Sequence, residues 1–388
     1  PEPESVVDGR PFLYDAQLTS ANGETSCSSC HAFGDMDSLV WDLGNPDDAV
    51  STNPQPGPPL IDLIRGTSFH PMKGPMTTQT LRGLSTSGAM HWRGDRSDGF
   101  FGLDACDKEN EAPCDEFLSF KNFIVAFPGL VGRKDMLTED QMDSFTRFAL
   151  QLALPPNPNR NLDNSLTADQ QAGKDIYMGQ AGITKATEFI INCDTCHKLD
   201  PEKGFYGTSG RQSVEGETQT FKIPHLRNMY QKIGMFGTTS RQEDEFQVHK
   251  GFQGDQIRGT GQRHDGSIDT THSFIGGLVF TVDPEDRLLI EDFVNSFDSD
   301  LAPIVGQQVT LTSTNAAKAN PRIDLLLARS STAFVSKVLG AGVNECDLVV
   351  TGVISGAMRG CVHTDGANFK CDDGSTITDS EIRSFAVT

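Results

Sequence analysis

The chain has 388 residues, 53 acidic against 32 basic side chains, a formal net charge of −21 and 36% hydrophobic residues. That length supports two or three domains with real cores. No apolar run approaches the ~18 residues of a membrane helix, and the acidic balance excludes a general nucleic-acid binder, which needs a basic footprint.

In chain order, Gly9-Arg10-Pro11-Phe12-Leu13-Tyr14 opens a helical segment that leads to Cys27-Ser28-Ser29-Cys30-His31. Leu81-Arg82-Gly83 follows, with Met90 nine positions after the leucine. An amphipathic helix is predicted from about Thr138, with Met142, Phe145, Phe148 and Leu152 on one face. The run Leu154-Pro155-Pro156-Asn157-Pro158-Asn159-Arg160 is too rich in proline for helix and reads as a linker.

The pattern then repeats. Thr167 and Gln170 form a capping-box signature ahead of Gly173-Lys174-Asp175-Ile176-Tyr177, and Cys193-Asp194-Thr195-Cys196-His197 follows. Leu226-Arg227-Asn228 leads to Met235 at the same offset of nine. A closing amphipathic helix is predicted with Asp283 as cap and Pro284 at its first position, followed by Leu288, Leu289, Phe293 and Phe297. From about Gly306 the composition changes. Val309-Thr310-Leu311-Thr312, Leu348 to Ile354 and the Gly/Asp/Cys-rich stretch to Ser375 read as short strands and turns, with no chemistry of their own.

Each Cys-x-x-Cys-His run sets two thiols one helical turn apart beside a histidine. That spacing suits thioether attachment to the two vinyl groups of one haem, with the histidine as proximal iron ligand. A lone run is compatible with chance or with half a zinc site. Two runs in a nine-cysteine chain argue for two covalently attached c-type haems (iron), held by Cys27, Cys30 and His31 and by Cys193, Cys196 and His197. A zinc site would need paired knuckles sharing one metal, and these two are far apart in the chain.

Five cysteines remain. Covalent haem is attached outside the bacterial cytoplasmic membrane, where disulfides persist, so Cys106–Cys114 and Cys361–Cys371 are expected as short bridges. Cys346 is left over, either buried as a small apolar residue or paired outside the chain. The chain begins at Pro1 with no visible signal peptide and reads as a processed or partial product of a longer precursor.

Gly9 through Asp15 with Thr25-Ser26-Cys27-Ser28-Ser29-Cys30-His31, the run His91-Trp92-Arg93-Gly94-Asp95-Arg96, and Phe221 through Asn228 followed by His264-Asp265-Gly266-Ser267 resemble the bacterial di-haem cytochrome c peroxidase family. The likeness covers residues 5 to 300 in ordered pieces. It implies two cytochrome c-like helical domains facing each other with a tryptophan between the haems, at the place of Trp92. Trp92 is equally readable as a core aromatic, and Trp41 as packing. The departures matter. No methionine stands between Met235 and Met358, so the family's high-potential ligand is missing from its usual place. The acid expected over the peroxidatic haem has only Glu109, Glu111 and Glu116 as candidates, without the family's motif, and the insert Thr238 to Gly261 has no counterpart.

The distal ligands separate the functions, because iron closed on both sides moves electrons whereas an open iron binds peroxide. For the second haem Met235 is favoured, with His249, His264 and His272 as rivals. For the first the candidates are His70, Met72, Met76, Met90 and His91. His70 is favoured because its loop is placed like the family's loop that carries a displaceable histidine. Arg82, Arg93 and Arg227 are candidates to neutralise haem propionates, the alternative being ordinary surface charge.

The expected fold is mainly α: two cytochrome c-like haem domains, 1–154 and 155–305, and a small β-rich C-terminal region, 306–388. The expected function is electron transfer in the periplasm or outside the cell, with a small redox protein or another cytochrome as partner. The rivals are a peroxidase reducing hydrogen peroxide and a haem-wired module of a larger extracellular assembly.

Overall fold

The structure is a computed structural model that describes residues 2–45, 47–52, 63, 68–69, 74–106, 112–180, 187–188, 191–214, 220–234, 260–277, 280–354 and 356–387. Two compact units emerge: residues 1–154 with 168–297, and residues 155–167 with 298–388. Both Cys-x-x-Cys-His motifs lie in the first unit. The proline-rich run expected as a linker is packed into the second, where the Ser299 hydroxyl donates to the Pro155 carbonyl and Asn157 is buried. Among the described residues no helix is long and apolar enough to cross a membrane.

The first unit is built twice on one plan. In its first half the helix Glu4–Gly9 lies against the helix Glu139–Ala149. The second helix starts where predicted. The Gln141 amide donates to the Thr138 hydroxyl at 3.3 Å and the Gln141 side chain accepts the Thr138 amide at 3.0 Å, a reciprocal cap that satisfies two donors a helix start leaves open. Its buried face carries Met142, Phe145 and Phe148. Phe145 is the hub, with its ring 5.1 Å from Phe120 and 6.2 Å from both Phe12 and Phe127. The crossing is closest at Gly9, where an added Cβ would stand 2.3 Å from the Ser144 carbonyl oxygen and from Phe148 Cβ.

In the second half the helix Ala168–Tyr177 packs on Pro284–Asn295, which opens with Asp283 and Pro284 as predicted. Here the close approach is at Gly173, whose added Cβ would meet the Leu289 carbonyl oxygen at 1.9 Å. Tyr177 is fully buried, its ring 5.3 Å from Phe293 and 5.6 Å from Phe297. Phe297 lies past the helix, which ends at Asn295. Among the described residues the strands of the first unit form two-stranded pairings, such as Val40–Trp41 with Met76–Thr77 and Gln212–Val214 with Thr220–Lys222. Trp41 is 39% exposed and donates to Asp37 at 2.8 Å, so it is a surface residue and not core packing.

The halves interlock through backbone. The Thr77 amide donates to the His264 carbonyl at 2.7 Å and the Lys222 amide to the Trp92 carbonyl at 2.8 Å.

The second unit is more helical than its composition suggests. The segment Val309–Thr312, expected as a strand, is irregular and leads into the helix Ala316–Ser330. Its β-propensity is overridden because Thr310 and Thr312 anchor the turn at Asn315, whose side chain donates to the Thr310 carbonyl at 2.8 Å and accepts the Thr312 amide at 2.8 Å. The predicted strands downstream form one antiparallel meander in the order Val349–Ile354, Ala357–Asp365, Asn368–Cys371, Thr376–Thr378. Cys361 and Cys371 are cross-strand neighbours in its register and are joined as a disulfide. Arg329 on the helix meets buried Glu345 at 2.7 Å.

Candidate functional site

Both Cys-x-x-Cys-His motifs fold as a single turn. Cys27–Ser29 is a 3-10 turn capped by Ser26, and Cys193–Cys196 is one turn of α-helix after Asn192. The histidine amide closes each turn onto the first cysteine's carbonyl, at 2.9 Å for His31 and 2.8 Å for His197. The two histidines have nearly the same backbone, φ −91°, ψ 62° and φ −94°, ψ 59°. All four cysteines are free of disulfides, while Cys106 and Cys114 are joined and Cys346 is unpaired, as the cysteine count predicts.

Each ring is pinned the same way. His31 Nδ1 lies 2.8 Å from the Gln79 carbonyl oxygen, and His197 Nδ1 lies 2.9 Å from that of Pro224 and 3.2 Å from that of Gly207. A carbonyl only accepts, so Nδ1 carries the proton and Nε2 keeps its lone pair. Burial lowers the pKa of both rings, which favours this neutral form. A histidine that donates one ring N–H to a backbone carbonyl and offers the other nitrogen is oriented as metal-ligating histidines are.

The anchoring carbonyls occupy equivalent places in the repeat. Gln79 and Pro224 each stand two residues before the leucine of Leu81-Arg82-Gly83 and Leu226-Arg227-Asn228. Gly83 (φ 72°) and Asn228 (φ 65°) then both take the left-handed conformation and start 3-10 turns, Leu84–Thr86 and Met229–Gln231. Asparagine tolerates that region better than other non-glycine residues.

The arginines between differ. Arg82 is partly exposed, its Nε 3.6 Å from Asp35 and its guanidinium 3.4 Å from the Phe33 carbonyl. Arg227 is buried, donates to the Thr86 hydroxyl at 2.6 Å and covers the Tyr206 ring at 4.7 Å. Arg93 is buried on Asp95 at 2.9 Å, and His91 Nδ1 reaches the same carboxylate at 2.9 Å. Burial pushes the Asp95 pKa up most strongly, but His91, Arg93 and Arg96 together outweigh it and hold the carboxyl well below the usual range.

Trp92 is buried where the halves meet, its Nε1 donating to the Thr77 carbonyl at 2.7 Å. The ammonium groups of Lys222 and Lys232 lie 6.0 Å and 5.4 Å from its ring centre. Burial pushes the Lys222 pKa down to about 7, with the Lys232 charge adding, and that of Lys232 down to about 8. Sequence reasoning missed both lysines. The only trace is a lone cation inside the apolar run Phe221-Lys222-Ile223. It also undervalued Glu116, which is 5% exposed, opens the helix Glu116–Lys121 and lines a small pocket with Thr86, Gly88, Phe205 and Thr208.

Of the other candidates, Met90 is buried in the first half's core, against which Cys27 packs, and Met76 is half-buried opposite Trp41. His264 is buried and stacks on Phe221 at 4.1 Å, and the His272 amide donates to Glu291. His70, Met72, Met235 and His249 lie outside the described residues.

A covalently attached haem fits these residues: thiols one turn apart and outside any disulfide, an adjacent histidine with Nε2 available, and buried cations for which the group's carboxylates supply counter-charge. Among the described residues no three His, Cys, Asp or Glu side chains gather as they would for a bare metal ion, so the two motifs do not pool ligands.

No family model and no curated protein matches the chain. Among solved structures it is similar to hydrazine synthase of Kuenenia stuttgartiensis, at 18% identity over 76% of this chain and 88% of that one, TM-score 0.43. It is also similar to a MauG-like protein associated with microbial copper homeostasis, at 16% identity over 76% and 89% of the two chains, TM-score 0.32. Likeness at this level carries no argument about activity.

Proposed function

We propose that the chain is a di-haem c-type cytochrome that transfers electrons in the periplasm or outside the cell. One observation carries this reading: two complete Cys-x-x-Cys-His turns whose histidines are both pinned through Nδ1 to carbonyls at the same place in an internal repeat. Haem supplies a one-electron iron couple when bound. Cys27 with Cys30 and Cys193 with Cys196 attach it, His31 and His197 orient toward iron, and Trp92 fills the space where the halves meet. His70 and Met235 are the proposed distal ligands. The disulfides suit an oxidising compartment, and the charge of −21 suits a small basic redox protein or cytochrome as partner.

A pyridine haemochrome assay tests the reading directly, with two haems per chain expected and one or none overturning it. Met235→Ala is expected to abolish the weak near-infrared methionine-to-iron band of the oxidised protein. If the band is unchanged, the ligand is His264 or His272.

Buried Glu116 favours a second reading, hydrogen peroxide reduction, since a placed acid is worth about 10² to 10⁴ in rate. Stopped-flow mixing of the half-reduced protein with peroxide separates the two. Slow reduction alongside fast exchange with a mediator supports the carrier, whereas fast reduction that Glu116→Gln removes supports the enzyme.

A further inference from the structure

Two lysines inside a protein, beside one aromatic ring and beside each other, are an expensive arrangement unless something negative faces them. Lys222 is 4% exposed and Lys232 is half-buried, and each sits within 6.0 Å of the Trp92 ring centre. Among the described residues the Trp92 ring is the favourable contact of each ammonium group, and no carboxylate pairs with either. The surroundings add cations. Half-buried His225 senses the charges of Lys222, Lys232, Arg227 and His197, which places all of them in one neighbourhood.

Both lysines belong to the stretch that carries the second motif's anchor. Lys222 stands two residues before Pro224, whose carbonyl holds His197, and Lys232 caps the turn Met229–Gln231 that follows Leu226-Arg227-Asn228. Two carboxylates of the first half are committed elsewhere: Asp95 is held by His91, Arg93 and Arg96, and Asp35 faces Arg82. Among the described residues, then, neither cation meets a carboxylate. One haem brings two carboxylates.

We propose that Lys222 and Lys232 form a cationic clamp for the propionates of the haem bound at His197, at the Trp92 side of that haem. The inference rests on the di-haem reading and extends it. These are positioning residues, acting on haem charge and on the field at Trp92. A cation near a haem disfavours the ferric state, which carries the greater positive charge, so the clamp raises the second haem's potential. The same two charges disfavour a tryptophan cation, so Trp92 serves the gap between halves as a closed-shell bridge.

The test uses the purified holoprotein with Lys222→Met, Lys232→Met and Lys222→Arg. Three quantities are read: haem count, the potential of each haem by optical titration, and the propionate-deformation band in resonance Raman. With the haem count at two, each methionine variant is expected to shift the second haem's redox equilibrium about tenfold toward the oxidised form, the scale of one interior unit charge. It should move the propionate band and leave the first haem unchanged, and Lys222→Arg should restore the potential. Lys232→Met, at the half-buried position, keeps the question answerable should Lys222→Met fail to fold. Unchanged potential and band in Lys232→Met with two haems present would overturn the clamp. A wild-type haem count of one would overturn the di-haem reading instead.

Discussion

The two halves of the first unit share a frame and differ in their charge. Each sets a glycine of one helix against the backbone of another, follows it with a Cys-x-x-Cys-His turn, and pins the histidine with a carbonyl two residues before a Leu-Arg pair. Around the first motif the buried charges are paired, with Asp95 neutralised by Arg93 and Arg96. Around the second, Lys222 and Lys232 meet no carboxylate among the described residues. The backbone frame thus sets where an iron ligand points, while side chains outside the frame set the electrical environment. Duplicated frames with different fields are a means of giving two similar cofactors different potentials.

The largest effect expected concerns the motifs themselves. Replacing Cys193 and Cys196 with serine should halve the covalent haem in a pyridine haemochrome assay and leave the first half's spectrum intact. Loss of both haems would show that the halves cannot be treated as two sites.

The glycine crossings come next. Gly173→Ala drives a Cβ into backbone at 1.9 Å and Gly9→Ala at 2.3 Å, so neither neighbour can yield by rotating a side chain. Losses of about 3 kcal/mol are expected, larger at Gly173, after allowing for the helix preference of alanine. Urea unfolding of both variants measures the ranking, and equal effects would mean that the crossing at Gly173 is no tighter than that at Gly9.

Asp95→Asn breaks a buried ion pair of the first half, and a loss of about 3 kcal/mol is expected at neutral pH. The native carboxyl lies below its unfolded value, so its contribution is complete above about pH 4. It is lost as pH falls from there through the folded pKa. The gap between wild type and Asp95→Asn in thermal melts should therefore narrow below about pH 4 and stay constant above it.

The smallest effect concerns Tyr177. Its hydroxyl donates to the His197 carbonyl, and the equivalent position in the first half, four residues after the glycine, is Leu13 with no such bond. Tyr177→Phe should cost about 1 kcal/mol and broaden the second haem's spectrum while the first is unaffected.

Much of this was legible in the chain. The motifs, the closing helices at Thr138 and Asp283, both disulfides and the unpaired Cys346 are local signals, carried by residues within a turn or a hairpin of one another. The Leu-Arg repeat also marked the stretch that pins each histidine, although its value lies two residues earlier, in a carbonyl that has no side-chain signature. The helix at Ala316–Ser330 was not legible from the preceding Val-Thr-Leu-Thr run, because a side-chain turn at Asn315 overrides its strand preference.

By itself the sequence determined the two Cys-x-x-Cys-His turns proposed to hold covalent haem and the starts of the two closing helices, since those signals depend on spacing along the backbone. Tertiary structure alone decided that the proline-rich run packs with the C-terminal unit, that Glu116 is buried, and that Lys222 and Lys232 meet at Trp92. Burial and charge pairing are sums over neighbours distant in the chain, so no local pattern in the residues encodes them.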